Sequence, residues 1–427
     1  MTYTILIFKA MTNTMKILKS MTCLVMMGAA LASCEKEPDP PQGPKEIAIT
    51  KTTADIIKSD NDFGIELFRQ IVSQDTTPGN IFISPTSIAL ALAMTYNGAA
   101  GDTKTAMEIV LKKVGLTADE INTSYKSLIG ALVTVDPKVL LEIANSIWYR
   151  EGFNVLPEFV TANQDYYNAR VSALDFSDPV APDVINGWVN DNTHGRIEEI
   201  VEVISPETVM FLINAIYFKG IWQHEFDTDN TAEGDFYLQS GPVAVEMMKQ
   251  TTALWHTSNE ILSIVELPYG QGNFSMLVLL PQSGKTTGDV VSALTPGNWE
   301  IWMNTMTEKN VDLQLPKFTF EYKNQLNEEL EALGMGVAFT GSADFSNING
   351  TGGLQISKVL HKSFVEVNEE GTEAAAVTSV EIEVTSAGPE NTPFSVDRPF
   401  LFAIRENSTG TILFIGLVRN PLMKENG

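Results

Sequence analysis

The stretch from Asn368 to Pro389 constrains this chain more than any other, because two opposed local readings fit it at once. Gly371, the run Ala374-Ala375-Ala376 and the stop at Gly388-Pro389 describe an exposed, small-residue loop of the kind proteases cut. Its parity describes a strand. Even positions Thr372, Ala374, Ala376, Thr378, Val380, Ile382 and Val384 are small or β-branched, while odd positions Glu373, Ser379, Glu381 and Glu383 are polar, interrupted by Ala375 and Val377. One face suits burial and the other suits water. Alone, the stretch favours an ordinary surface hairpin strand. Set in a chain that supports both forms, it is a bistable element whose job is to change from loop to strand.

The N-terminus reads as an export signal. Lys16 and Lys19 form a basic region, Met21 to Leu31 is an apolar run too short to span a bilayer, and Leu31-Ala32-Ser33-Cys34 closes it with small residues before a cysteine. That ending resembles a bacterial lipobox, which implies cleavage before Cys34, a lipid on its thiol and an exported, outer-membrane location; a plain secretory cut is the alternative. Met11 or Met15 is an alternative initiator. The chain has two cysteines, Cys23 inside the signal and Cys34, so no thiol is left for a disulfide and stability must come from the core. Removing residues 1–33 takes away three lysines and no acid, moving the formal charge from −25 to −28. Nucleic acid and heparin-like polyanions are therefore poor partners. Glu35 to Pro44 is charged and proline-rich, as suits an extended tether. The expected division is signal 1–33, lipidated cysteine and tether 34–51, and one domain 52–427 with the loop at 368–392.

Within that domain, helical spacing marks Ala54 to Val72, and Ser84-Pro85 places a cap and a first-turn proline before a second helix ending at Asn97-Gly98. Further helices are expected at 102–111, 118–133, 156–167 and 182–193, and strands at 139–149, 208–218, 261–267, 274–280, 311–320, 354–367, 400–405 and 411–417. Helices crowd the first half and strands the second. The expected class is α+β with mainly antiparallel sheets.

Several separated blocks then match the serpin family in order. Asn80-Ile-Phe-Ile-Ser84-Pro85-Thr-Ser87 is similar to its helix beneath the main sheet, and Ile185-Asn-Gly-Trp188 through Ile197 to its helix across that sheet. Leu212-Ile-Asn214 to Gly220-Ile-Trp222, Leu315-Pro-Lys-Phe318, Leu333-Gly-Met-Gly336, Asp397-Arg-Pro-Phe400 and Gly410 to Gly416 follow. Ile356 to Ala376, through His361, Asn368 and Gly371, joins a strand directly to the loop. The likeness runs from about residue 52 to Leu422.

The resemblance implies helices packed around a large, mainly antiparallel sheet with two further sheets and an exposed reactive-centre loop. It implies a suicide-substrate inhibitor without catalysis of its own: a serine or cysteine protease acylates the loop, which then inserts into the main sheet. By the same likeness, Glu369, Gly371, Thr372, Glu373, Ala374, Ala375 and Ala376 form the hinge. Ser84, Ser87, Asn214 and His361 form a polar shutter under the opening strands, and Trp222 marks the point where insertion begins. Counting from Gly371 puts the reactive bond at Thr385-Ser386 beside Val384; counting back from Arg398-Pro399 puts it nearer Gly388. No Arg or Lys lies between Gly371 and Asp397, which turns the expectation toward elastase- or subtilisin-like targets. The implied partners are proteases, in a covalent complex with a monomer, and a membrane through the lipid alone. No cofactor is implied, and no heparin-type activator, since Lys104, Lys112 and Lys113 stand alone among acids.

Other chemistries find little footing. There is no Gly-x-Ser-x-Gly elbow, and His224-Glu225 lacks the second histidine of a zinc helix. Asp227, Asp229, Glu233 and Asp235 lack EF-hand spacing and read as a solvated loop. Two rival functions stay open from the sequence: a non-inhibitory serpin-fold protein binding a ligand or client, and an unrelated nutrient-capturing surface lipoprotein.

Overall fold

In the computed structural model of the protein, residues 43–372 and 391–424 are described. Six helices fall where the periodicity puts them: α1 (Lys51–Gln74), α2 (Pro85–Tyr96), α3 (Gly101–Val110), α4 (Ala118–Leu132), α5 (Pro157–Tyr167) and α6 (Ala181–Asn192). The Thr50 hydroxyl caps α1 by accepting from the Thr53 amide, and Ser84 caps α2 by accepting from Ser87 N, with Pro85 in the first turn. Every residue of α2 but Ala91 is buried, so this helix is apolar all round and lies inside the body. Upstream of α1, Lys45 and Asn273 exchange hydrogen bonds and Ile47 and Ile49 pack on the core. Contacts with the body thus begin inside the stretch expected to be tether.

The main sheet has six strands in the order β10 (Phe318–Gln325), β11 (Leu360–Val367), β12 (Gly371–Thr372), β4 (Met210–Ile221), β2 (Val139–Arg150) and β3 (Arg170–Leu174). The other sheet runs β1 (Ile81–Ile83), β15 (Ile412–Val418), β14 (Phe400–Glu406), β8 (Phe274–Pro281), β7 (Leu262–Tyr269), β6 (Gly241–Ser258), β9 (Thr307–Pro316) and β13 (Thr392–Ser395), with β5 (Ala232–Leu238) paired to β6. Only the β2–β3 and β9–β13 pairs are parallel among the described ladders. The α+β class with mainly antiparallel sheets holds. The strands expected to form two further sheets are joined into one nine-stranded ladder, because the long β6 pairs with β5, β7 and β9 along its length.

Two strand expectations and one loop expectation are corrected. The run 311–320 is two strands in different sheets: Pro316 ends β9, the Lys317 amide turns aside to the Glu246 carbonyl at 2.9 Å, and β10 starts at Phe318 in the main sheet. The run 354–367 becomes a ladder only from Leu360, after Gly352 and Gly353 with φ of 71° and 74°. The acidic run is not all loop: Asp227 caps a short turn at Thr228–Asn230, while Glu233 and Asp235 lie in β5.

The main sheet is covered on both faces. Phe218 of β4 meets Tyr269, Phe274 and Phe414 in the principal core, while Ile185 and Val189 of α6 pack with Trp148 and Ile213 on the opposite side. A helix on each face makes the sheet a buried layer.

Candidate functional site

The site begins where β12 enters the main sheet. Thr372 pairs with Val367 of β11 and Gly220 of β4, and Gly371 pairs with Ile221, all antiparallel. It follows that β4 and β11 run parallel to each other, and among the described residues only β12 joins them. Two strands with one strand between lie roughly 10 Å apart. The spacing is that of a sheet parted by one strand's width.

Gly371 is required by contact. A Cβ there would sit 2.1 Å from the Gly220 carbonyl oxygen and 2.8 Å from Ile221 Cα, both backbone. Asn368 makes the turn before it, its side-chain oxygen accepting from the Glu370 and Gly371 amides at 3.1 and 3.2 Å.

Trp222 pins this turn. Its amide donates to the Glu370 carbonyl at 2.8 Å, its indole N–H to the Asn368 carbonyl at 2.9 Å, and its ring stacks on Tyr269 with centroids 4.4 Å apart. The Tyr269 hydroxyl shares a 2.6 Å hydrogen bond with Thr372 Oγ1, and burial pushes that phenol above its usual range, against the Thr372 bond. The Phe226 amide donates to the Glu369 carbonyl at 2.9 Å. Burial raises the Glu369 carboxyl, but its backbone, Thr231 at 2.9 Å and Lys317 at 3.2 Å outweigh that and hold it below the ordinary carboxylate range. Glu369, Gly371, Thr372 and Trp222 are therefore one assembly.

The expected polar shutter resolves into two parts. Ser84 N donates to His361 Nε2 at 3.2 Å, Ser84 Oγ donates to the Leu413 carbonyl at 2.7 Å and accepts from Ser87 N at 3.1 Å. Accepting from Ser84 fixes His361 as the neutral tautomer protonated on Nδ1, and burial alone lowers its pKa to about 4. Asn214 belongs elsewhere: its Nδ2 donates to Asn145 Oδ1 at 2.7 Å, and Asn145 Nδ2 to the Tyr167 carbonyl at 2.8 Å. Asn214 Oδ1 is buried with no hydrogen-bond partner among the described residues. No bond joins Asn214 to His361 among the described residues, so the four do not form a single closed network.

Tyr269, Asn145 and Ser363, whose hydroxyl donates to the Phe82 carbonyl, are members that sequence reasoning missed. The Asn145-Ser146 pair inside an apolar strand was a usable signal for one of them. Cys34, Glu373, Ala374, Ala375, Ala376, Val384, Thr385 and Ser386 lie outside the described residues. Lys113 is no surface lysine: it is 1% exposed and pairs with Asp60 at 2.6 Å. Among the described residues no group of three or more His, Cys, Asp or Glu side chains is placed to hold a metal.

A family model described as "Serpin (serine protease inhibitor)" matches residues 58–421. Iripin-8 of Ixodes ricinus is 36% identical over 84% of this chain and 92% of its own. Leukocyte elastase inhibitor A of Rattus norvegicus is 35% identical over 84% and 97%. The crystal structure of tengpin, a thermophilic serpin in its native state, superposes with a TM-score of 0.79 at 35% identity, over 88% of this chain and 96% of that one.

Proposed function

The chain belongs to the serpin family, and from that premise we propose that it is an inhibitory serpin that traps proteases by insertion of the segment after Thr372. The observation that carries this reading is β12, a strand already begun between two parallel strands held a strand's width apart. Continued in the same register, Ala374 would fall between Phe218 and Val365, Ala376 between Ile216 and Ser363, and Thr378 between Asn214 and His361. Even positions would face the core that Thr372 faces, and Glu373, Glu381 and Glu383 the other side. Insertion of Thr372 to Val384 at about 3.3 Å per residue would carry an acylated protease roughly 40 Å. The uninserted state is then kinetically held, since ladder hydrogen bonds and burial remain to be gained.

Target choice follows from the loop. Without Arg or Lys between Gly371 and Asp397, and with Val384 before Thr385-Ser386, it suits shallow apolar pockets of elastase- or subtilisin-like serine proteases. A relative whose name is leukocyte elastase inhibitor supports the same direction. The N-terminal pattern supports export and lipidation at Cys34, which would hold a monomeric inhibitor on an outer-membrane surface.

The test is to mix the purified chain with an elastase-like protease and look for a denaturant-stable covalent adduct on a gel. Clean cleavage without adduct across several serine and cysteine proteases would overturn the inhibitor reading.

A further inference from the structure

Below β12, the parted ends of β4 and β11 open onto a cavity of about 790 Å³, within the range of about 300–1,000 Å³ usual for small-molecule sites. Its floor is α2, through Ile88 and Leu92, and its sides include Ile348, Leu354 and Leu360. That part of the lining is apolar, while Asn214, Gln355 and His361 add polar groups elsewhere on the wall. Left without an occupant, its apolar floor would forfeit dispersion contacts that a hydrocarbon chain could make there.

The mouth has a different character. Lys323, Lys358 and Lys362 line the cavity against one carboxylate, Glu202, whose charge Lys323 takes in an ion pair. Lys362 pairs at 2.9 Å with Glu321, which is not part of the lining, and Lys358 is exposed and makes no ion pair among the described residues. A locally cationic mouth stands out on a chain of formal charge −25. Inside, Asn214 Oδ1 is buried without a partner among the described residues, and His361, 5% exposed, also lines the wall.

We propose that this cavity binds a single-chain amphiphile with an anionic head, of the long-chain carboxylate class. Its tail lies over Ile88 and Leu92 and its head sits at Lys358 and Lys362. The site stands independently of protease trapping. Its consequence for trapping rests on the proposed function: the amphiphile occupies the path that an inserting strand would follow past Asn214 and His361, so the loaded chain is cleaved instead of forming adduct.

The test uses the purified, delipidated chain and a fluorescent long-chain carboxylate, displaced by hexadecanoate below its micelle concentration. Saturable displacement at one site, with a raised unfolding temperature, is expected. Lys358→Glu, an exposed change, should weaken hexadecanoate about tenfold and leave hexadecanol within twofold. Leu92→Trp, which places an indole where the tail would lie, should weaken both, with the unfolding midpoint checking that it folds. Absence of saturable displacement in the wild type, or capture of an extended apolar peptide but no carboxylate, would overturn the site. So would an unchanged hexadecanoate affinity in Lys358→Glu. Failure of the trapping reading would show separately, as absence of adduct without ligand.

Discussion

Replacing Gly371 by alanine tests the insertion mechanism at its tightest contact. The added methyl would lie 2.1 Å from the Gly220 carbonyl oxygen and 2.8 Å from Ile221 Cα, and neither backbone atom can move without disturbing β4. Where β12 ends at Thr372 among the described residues, relieving the clash displaces two residues at the expense of the Trp222 and Tyr269 hydrogen bonds. The inserted strand has no such escape: it must seat the same alanine between β4 and β11 and also lose the 2.6 Å Tyr269–Thr372 hydrogen bond if it shifts. Overpacking of this kind costs about 1–3 kcal/mol, and a penalty of about 2 kcal/mol felt at the start of insertion slows it roughly 30-fold. Insertion competes with hydrolysis of the acyl bond, so the partition moves toward cleaved product. Titrating a target protease should show the ratio of cleaved to trapped chain rising by about that factor, with the covalent band fading and cleaved chain accumulating. An unchanged titration, with Gly371→Ala still forming adduct one to one, would refute both the contact and the hinge assignment.

Thr372→Arg should convert inhibitor to substrate more completely, since Thr372 is buried against Tyr269 and a guanidinium there would be desolvated without a carboxylate; unchanged adduct yield would place the hinge elsewhere. Stability should fall on acidification through His361. Its pKa drops from 6.5 to about 4 on folding because burial disfavours the cation, so its full stabilisation is present above pH 6.5 and is lost as the pH falls from 6.5 toward 4. That is roughly 2 kcal/mol by pH 5, read as the fall in urea midpoint from pH 7 to pH 5 that His361→Gln removes. Lys113→Met should destabilise by about 3–5 kcal/mol by leaving Asp60 charged and buried, while adding Asp60→Leu should recover most of it. A double variant as weak as the single would mean the ion pair with Asp60, 2.6 Å long and supported by the Tyr125 hydroxyl at 2.9 Å, is not the source.

Periodicity was enough for six helices, as in the Ser84-Pro85 start of α2 and the apolar stripe of α1, but it missed the short helices Thr287–Ala293 and Pro296–Asn304 despite their Thr286 and Thr295 caps. Strands were legible where β-branched runs were long, and failed where sheet membership is a tertiary choice. Pro316 marks a local break, but nothing local says that 318–320 continue in a different sheet; the crossing is made by the Lys317 amide reaching Glu246. β6 escaped notice because Gly241 to Ser258 is half exposed and rich in threonine, and its ladder depends on partners distant in sequence. The same limit applied to the site. Trp222, Glu369 and Gly371 could be named because they lie in contiguous motifs, whereas Tyr269 reaches Thr372 across 103 residues and leaves no trace in spacing.

The divided polar cluster gives the insertion reading its most specific physical content. A buried acceptor without a donor is costly, about 1–3 kcal/mol, yet Asn214 Oδ1 is left in that condition while its amide is committed to Asn145. His361, on the facing strand, spends Nε2 on the Ser84 amide and carries its proton on Nδ1. If the strand continued in the register set by Thr372 opposite Gly220 and Val367, the even-numbered side chain level with both residues would be Thr378, with a hydroxyl that can donate and accept. Apolar neighbours at Val380 and Ile382 could only cover the slot. A hydroxyl at this step would satisfy the orphaned acceptor, so insertion would gain a polar bond that the waiting sheet lacks. On this account the unsatisfied amide would add a polar contribution to the ladder bonds and burial that insertion would gain.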